Sequence, residues 1–79
     1  MKIQILFFGA TANAVGEHRI ELSLPEGSIS NIVFDQMKEQ FPKLNSHKLL
    51  YSLNQNYATG DEVIRDGDEI AIFTAVSGG

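Results

Sequence analysis

The sequence predicts an α+β fold in which a mixed sheet packs on one main helix. Three observations carry that expectation. Residues 2–8 and 19–24 alternate apolar and polar side chains at period two, as strands do. One long stretch, residues 28–41, repeats its apolar positions at helical spacing. After it come further short alternating runs separated by turn residues, the last of them Glu69–Thr74.

In residues 2–8, Ile3, Ile5 and Phe7 share the face that reads as core, while Lys2, Gln4, Leu6 and Phe8 share the other. Gly9 ends the strand. Residues 11–15 are expected to form a short helix, with Thr11 near its N-cap and Gly16 as its stop. A piece that short persists only if packing holds it. In residues 19–24, Ile20, Leu22 and Leu24 alternate with Arg19, Glu21 and Ser23, which marks a strand buried on one face. The short excursion between these two strands suggests an antiparallel pair, and Pro25-Glu26-Gly27 closes the second.

Ser28 is expected to cap the main helix, whose apolar stripe runs through Ile29, Val33 and Met37 with Ile32, Phe34 and Phe41 on its flanks. Pro42 stops it, because its ring disfavours helical geometry at Phe41 and it has no N–H to donate. Residues 43–48 read as polar linker, and residues 49–54 as a third strand with Leu49, Tyr51 and Leu53 inward. Asn54-Gln55-Asn56 makes a turn, Tyr57-Ala58 a brief edge strand, and Gly60-Asp61-Glu62 another turn, after which Val63-Ile64 packs back. Asp66-Gly67 signals a tight turn. In the final strand Ile70 and Ile72 belong to the core, while Glu69, Ala71 and Phe73 face out. By analogy with small folds of the same element order, the first and last strands should lie side by side in the middle of the sheet. That is the β-grasp, or ubiquitin-like, architecture.

A chain of 79 residues is expected to form a single domain, residues 1–79, with a flexible diglycine tail at 76–79. With 43% hydrophobic and 20% charged residues it is globular in composition. It has no cysteine, which excludes a disulfide scaffold, a thiol nucleophile and a Cys-based metal site, and fits a cytoplasmic setting. No signal peptide or membrane-spanning run is legible. Lys2, Arg19, Lys38, Lys43, Lys48 and Arg65 are scattered in a chain of net charge -4, so neither nucleic acid nor an anionic membrane is expected as partner. By net charge alone, a basic protein partner is expected.

No conventional active site is legible. His18 and His47 are far apart, and Asp61, Glu62, Asp66, Asp68 and Glu69 have the wrong spacing for a calcium loop, so they read as turn chemistry and solubility. No metal and no bound cofactor are expected. Two features remain. Phe8 and Phe73 fall on the more polar face at the ends of two strands expected to be neighbours, with Tyr57 near them, and exposed aromatics together suggest docking. The other feature is Val76-Ser77-Gly78-Gly79. Two glycines lack Cβ atoms and can thread a channel too narrow for other residues, which leaves the Gly79 carboxylate as the useful group. A carboxylate is a poor electrophile, and an acyl adenylate would give it a good leaving group. The chain shows no nucleotide-binding motif, so another protein would do the activating.

These residues resemble the small subunit of molybdopterin synthase, a sulfur-carrier family. The likeness runs through Ile5-Leu6-Phe7-Phe8-Gly9-Ala10, Leu53-Asn54-Gln55, Arg65-Asp66-Gly67-Asp68-Glu69-Ile70-Ala71-Ile72-Phe73 and the terminal Val76-Ser77-Gly78-Gly79. The resemblance implies a β-grasp fold and adenylation of Gly79 by a ubiquitin-activating-like adenylyltransferase that consumes ATP. A Gly79 thiocarboxylate would follow. It implies that Val76, Ser77 and Gly78 insert into the large synthase subunit, within a heterotetramer. There the sulfur would pass to cyclic pyranopterin monophosphate to build the dithiolene of molybdopterin. It also implies partner contacts at Phe8, Tyr57 and Phe73. One departure is that the family commonly has two prolines where this chain has Thr74-Ala75, which should leave the tail freer. A ubiquitin-like modifier, a thiamine-pathway sulfur carrier and a plain interaction module remain open as alternatives.

Overall fold

The computed structural model describes residues 1–75. Its elements are β1 (Lys2–Phe7), α1 (Ala10–Val15), β2 (Arg19–Ser23), α2 (Ser30–Gln40), a 3-10 turn (Pro42–Ser46), β3 (Leu49–Leu53), β4 (Asn56–Tyr57) and β5 (Glu69–Thr74). The sheet order is β2-β1-β5-β3-β4, so the first and last strands do lie side by side in the middle. They run parallel, with Gln4 opposite Glu69 and Phe7 opposite Ile72, while β2 and β3 flank them antiparallel.

One face of this sheet carries the core. Ile3, Ile5, Phe7, Ile70 and Ile72 are fully buried there, and Val33, Phe34 and Met37 of α2 close over them. Phe34 stacks on Tyr51 with ring centroids 3.7 Å apart, and Phe41 meets Phe7 edge-on at 5.9 Å. Burial is the main reason the Tyr51 hydroxyl is held above its usual pKa, with the Asp35 carboxylate adding to the effect.

Several expectations are corrected by packing. The helix begins at Ser30, and Ser28 does not cap it: its hydroxyl donates to the Pro25 carbonyl instead. The first-turn N–H groups find backbone acceptors, Ser30 N–H donating to Glu62 O and Asn31 N–H to Gly60 O, so the 60–63 loop does the work of a cap. Ile32 is exposed, off the stripe, and Val63 is exposed as well, although Ile64 beside it is buried. Residues 43–48 are not a bare linker. Pro42 starts the 3-10 turn, and Leu44 within it is fully buried against the core. The edge strand is Asn56–Tyr57, one residue earlier than expected.

Gly16 and Gly67 sit at φ 84° and 85°, the left-handed region that side chains rarely adopt. Gly16 is the C-cap of α1 and donates to the Ala12 carbonyl, as its place in the sequence suggests. Gly67 turns the chain just before β5.

Candidate functional site

The two ends of the β1–β5 pair define the site by contrast. Where both strands begin, the Asp-Gly-Asp turn closes against them: Lys2 N–H donates to Asp66 Oδ1 at 2.7 Å, Arg65 N–H to Asp68 Oδ2 at 2.8 Å, and Gly67 N–H to the Lys2 carbonyl. Asn54 ties the β3 turn to the same place, donating to Asp68 Oδ1 and accepting from Glu69 N–H. The carboxylates of Asp66 and Asp68 are therefore occupied by main-chain donors, as their reading as turn residues requires. Nearby, Glu62 accepts from Ser30 Oγ (2.6 Å), Gly60 N–H, Thr59 N–H and Thr59 Oγ1. Those donors, the Ser30 hydroxyl first, lower its pKa to about 2.

Where the strands finish, the chemistry is apolar. The parallel register that pairs Phe7 with Ile72 sets Phe8 beside Phe73, and the Phe8 N–H donates to the Ile72 carbonyl. Phe8 is 53% exposed and α1 does not cover it. Phe8, Gly9, Phe73 and Thr74 line a shallow hollow on the solvent face of the sheet. Tyr57, 76% exposed, reaches Phe73 from the edge strand with ring centroids 6.1 Å apart and tilted 46°. The three aromatics singled out in the sequence are thus brought to one face, Phe73 sharing the hollow with Phe8 and pairing with the Tyr57 ring. Beneath them lies a residue whose role was missed. Thr11 is not an N-cap; it is fully buried, its hydroxyl accepting from Phe8 N–H at 3.0 Å and lying 2.8 Å and 2.7 Å from the Phe8 and Ile72 carbonyls. It clamps the ends of β1 and β5 together just where β5 leads to the tail. Only the Gly9-Ala10-Thr11 spacing behind the strand hinted at it.

Val76, Ser77, Gly78 and Gly79 lie outside the described residues. Among the described residues no three His, Cys, Asp or Glu side chains group as a metal site, and no helix is long and apolar enough to cross a membrane. His18 and His47 are both exposed.

A five-stranded mixed sheet in this order, wrapped on one helix with its last strand central, defines the β-grasp, ubiquitin-like class. The chain belongs to the ThiS family, whose model matches residues 5–79. It is 33% identical over 82 aligned positions to the molybdopterin synthase sulfur carrier subunit of Mycobacterium tuberculosis, covering 100% of this chain and 99% of that one. The resemblance read from the sequence therefore holds. Among solved structures, SAMP1 from Haloferax volcanii superposes with a TM-score of 0.87 at 21% identity, with all of both chains covered. The complex of subunits 1 and 2 of the molybdopterin-converting factor from Helicobacter pylori contains a chain that matches with a TM-score of 0.72 at 18% identity, again with all of both covered. At such identities these two likenesses speak for the fold alone, so the archaeal one does not favour the modifier alternative.

Proposed function

We propose that this chain is the sulfur-carrier small subunit of a molybdopterin synthase, and that its chemistry resides in the Gly79 carboxylate. The full-length likeness to a curated carrier of that name is the single observation that most supports it. The Phe8, Phe73 and Tyr57 face agrees with it, because it gives a partner protein a grip beside the strand that leads to the tail. In this reading residues 1–79 act as one domain whose task is presentation.

The steps follow from carboxylate chemistry. A Gly79 carboxylate oxygen attacks the α-phosphorus of ATP within a ubiquitin-activating-like enzyme, and pyrophosphate leaves. Hydrosulfide delivered by a donor then attacks the acyl carbon of the adenylate, AMP leaves, and the thiocarboxylate remains. Carried on Val76, Ser77 and Gly78 into a large subunit, that sulfur passes to cyclic pyranopterin monophosphate, and water supplies the oxygen that returns the Gly79 acyl group to a carboxylate. Each carrier brings one sulfur and a dithiolene holds two, so each pterin consumes two loaded carriers. The chain itself binds no cofactor in this scheme.

Incubation with the activating enzyme, ATP and a sulfur donor should raise the intact mass by about 16 Da, the difference between sulfur and oxygen, with Gly79 as the modified residue. An unchanged mass in the presence of an enzyme shown active on another carrier overturns the reading. Covalent adducts on lysines of other proteins, resistant to reductant and boiling, would point to the modifier alternative instead.

A further inference from the structure

The charge of -4 is not spread evenly. Glu26, Asp61, Glu62, Asp66, Asp68 and Glu69 all lie at the end where β1 and β5 begin. Asp66 and Asp68 close on β1, Glu62 on the first turn of α2, and Glu26 in the turn after β2. The end from which β5 leads to the tail is different. Arg19 begins β2 opposite Leu6, and Lys48 precedes Leu49, which pairs with Thr74. Lys43 and His47 line a hollow with Ala10, Asn13, Ala14 and Ser46, between α1 and the 3-10 turn. A second hollow, shared through His47, is walled by Lys38 and Tyr51. Like the Phe8 and Phe73 hollow, which neighbours them in sequence at Gly9-Ala10, they lie at the end where β5 finishes, and no carboxylate lines any of the three among the described residues. Glu17 and Glu39 stand on this end but outside the linings, and Asp35 is engaged by Lys38 at 3.6 Å.

From this polarity we infer that Lys43 and Lys48 form an electrostatic rim to the aromatic patch, fitted to an activating adenylyltransferase that surrounds its tail-receiving pocket with carboxylates. This rests on the carrier reading and reverses the expectation that net charge alone suggests, a basic partner. The acidic residues that set the net charge are at the far end, and many are consumed by turns. A carboxylate rim attracts the tail end and repels the other, so it turns the carrier tail-first before contact. Rim charges of this kind act on association rate more than on final affinity, and steering raises rates by about 10- to 1,000-fold at low salt.

The test is the association rate of the full chain with its activating adenylyltransferase, by stopped flow, at about 20 mM and about 500 mM NaCl, where the screening length shrinks severalfold. Lys43→Glu should slow association about tenfold at low salt and less than about twofold at high salt. Lys48→Glu should act in the same direction, which guards against a fold defect in either variant. Arg65→Glu makes the same change of charge at the opposite end and should stay within about twofold of the unaltered chain. Lys43→Glu and Lys48→Glu both associating at the unaltered rate, or faster, overturns the rim, as does Arg65→Glu slowing as much as they do. If the unaltered chain gains its 16 Da while these variants bind like it, only the rim fails. A chain that neither binds the enzyme nor gains mass removes the carrier reading and the rim together.

Discussion

The same two strands end in opposite ways. Where β1 and β5 begin, the side chains of Asp66, Asp68, Asn54 and Glu62 each accept from a main-chain N–H, and Asp68 also accepts from the Asn54 amide. Where they finish, a single buried hydroxyl, Thr11, holds the strands, and Phe8 and Tyr57 stand largely in solvent. Exposed aromatic area is costly to maintain in water and is retained where a partner covers it. Polar groups locked in turns, by contrast, have little capacity left for recognition. The lesson is that a cluster of charges is a weaker pointer to function than a small group of exposed aromatics. Removing Gly79 should break the comparison most completely: no mass gain of about 16 Da at all, with the thermal midpoint unchanged, read by mass spectrometry and calorimetry.

Phe8→Asp comes next. It puts a charge in the patch, and loss of an aromatic anchor costs about 2–3 kcal/mol of binding, or roughly 30- to 150-fold in Kd. Because Phe8 is half in solvent, the midpoint of unfolding should stay within about 2 °C of the unaltered chain. Calorimetric titration against the large subunit checks the first number. Equal affinities would mean that the aromatic face is not the grip. Thr11→Val attacks the same end from below. It leaves the Phe8 N–H and the Ile72 carbonyl without their hydroxyl partner inside the fold, at about 1–3 kcal/mol. For a domain of this size that corresponds to a fall in Tm of roughly 4–8 °C per kcal/mol. A Tm held within about 2 °C would show the clamp to be idle.

Much of this architecture is legible in the residues alone. Period-two alternation marks β1, β2 and β5 because each buries one face only, and it places Phe8 and Phe73 outside because alternation fixes sides without any knowledge of partners. What stays hidden is non-local. Ser28 has the right chemistry for a cap, yet the carbonyls of Gly60 and Glu62, thirty residues away in sequence, fill that role first. Leu44 is a lone apolar residue among polar ones, so no periodicity could show that a 3-10 turn drives it into the core. Thr11 as a strand clamp depends on the packing of α1 against β5. The proposed role of the tail is suggested for a different reason: the pair Gly78-Gly79 is a sequence pattern that needs no fold to be noticed.

A smaller effect sharpens the committed end. Glu62 has its folded-state pKa lowered from 4.5 to about 2. Since the charged form is the one bonded in the fold, its contribution is fully present above the ordinary pKa and is lost as pH falls from there towards about 2. Glu62→Gln should therefore lower the urea midpoint at about pH 6 and converge with the unaltered chain near about pH 2. Parallel curves across that range would mean that the Ser30 and Thr59 bonds do not depend on the charge.

The smallest expected effect concerns the turn between β3 and β4. Asn54 and Gln55 both have positive φ, 48° and 73°, the geometry of a two-residue hairpin turn that favours Asn-Gly. Asn tolerates that region and is held there by Asp68 and Glu69, so its strain is anchored. Gln55 has no side-chain bond of its own among the described residues, and its Cβ meets the steric penalty that glycine avoids. Gln55→Gly should relieve that strain, partly offset by the greater freedom of glycine in the unfolded chain, for a net gain of about 0.5 kcal/mol. Urea unfolding should show a slightly higher midpoint with the slope unchanged, and sulfur loading should be untouched because the turn lies at the end away from the tail. A loss of stability would mean that Gln55 contributes a contact that outweighs its backbone strain, and the committed end would then include one more residue than its hydrogen bonds reveal.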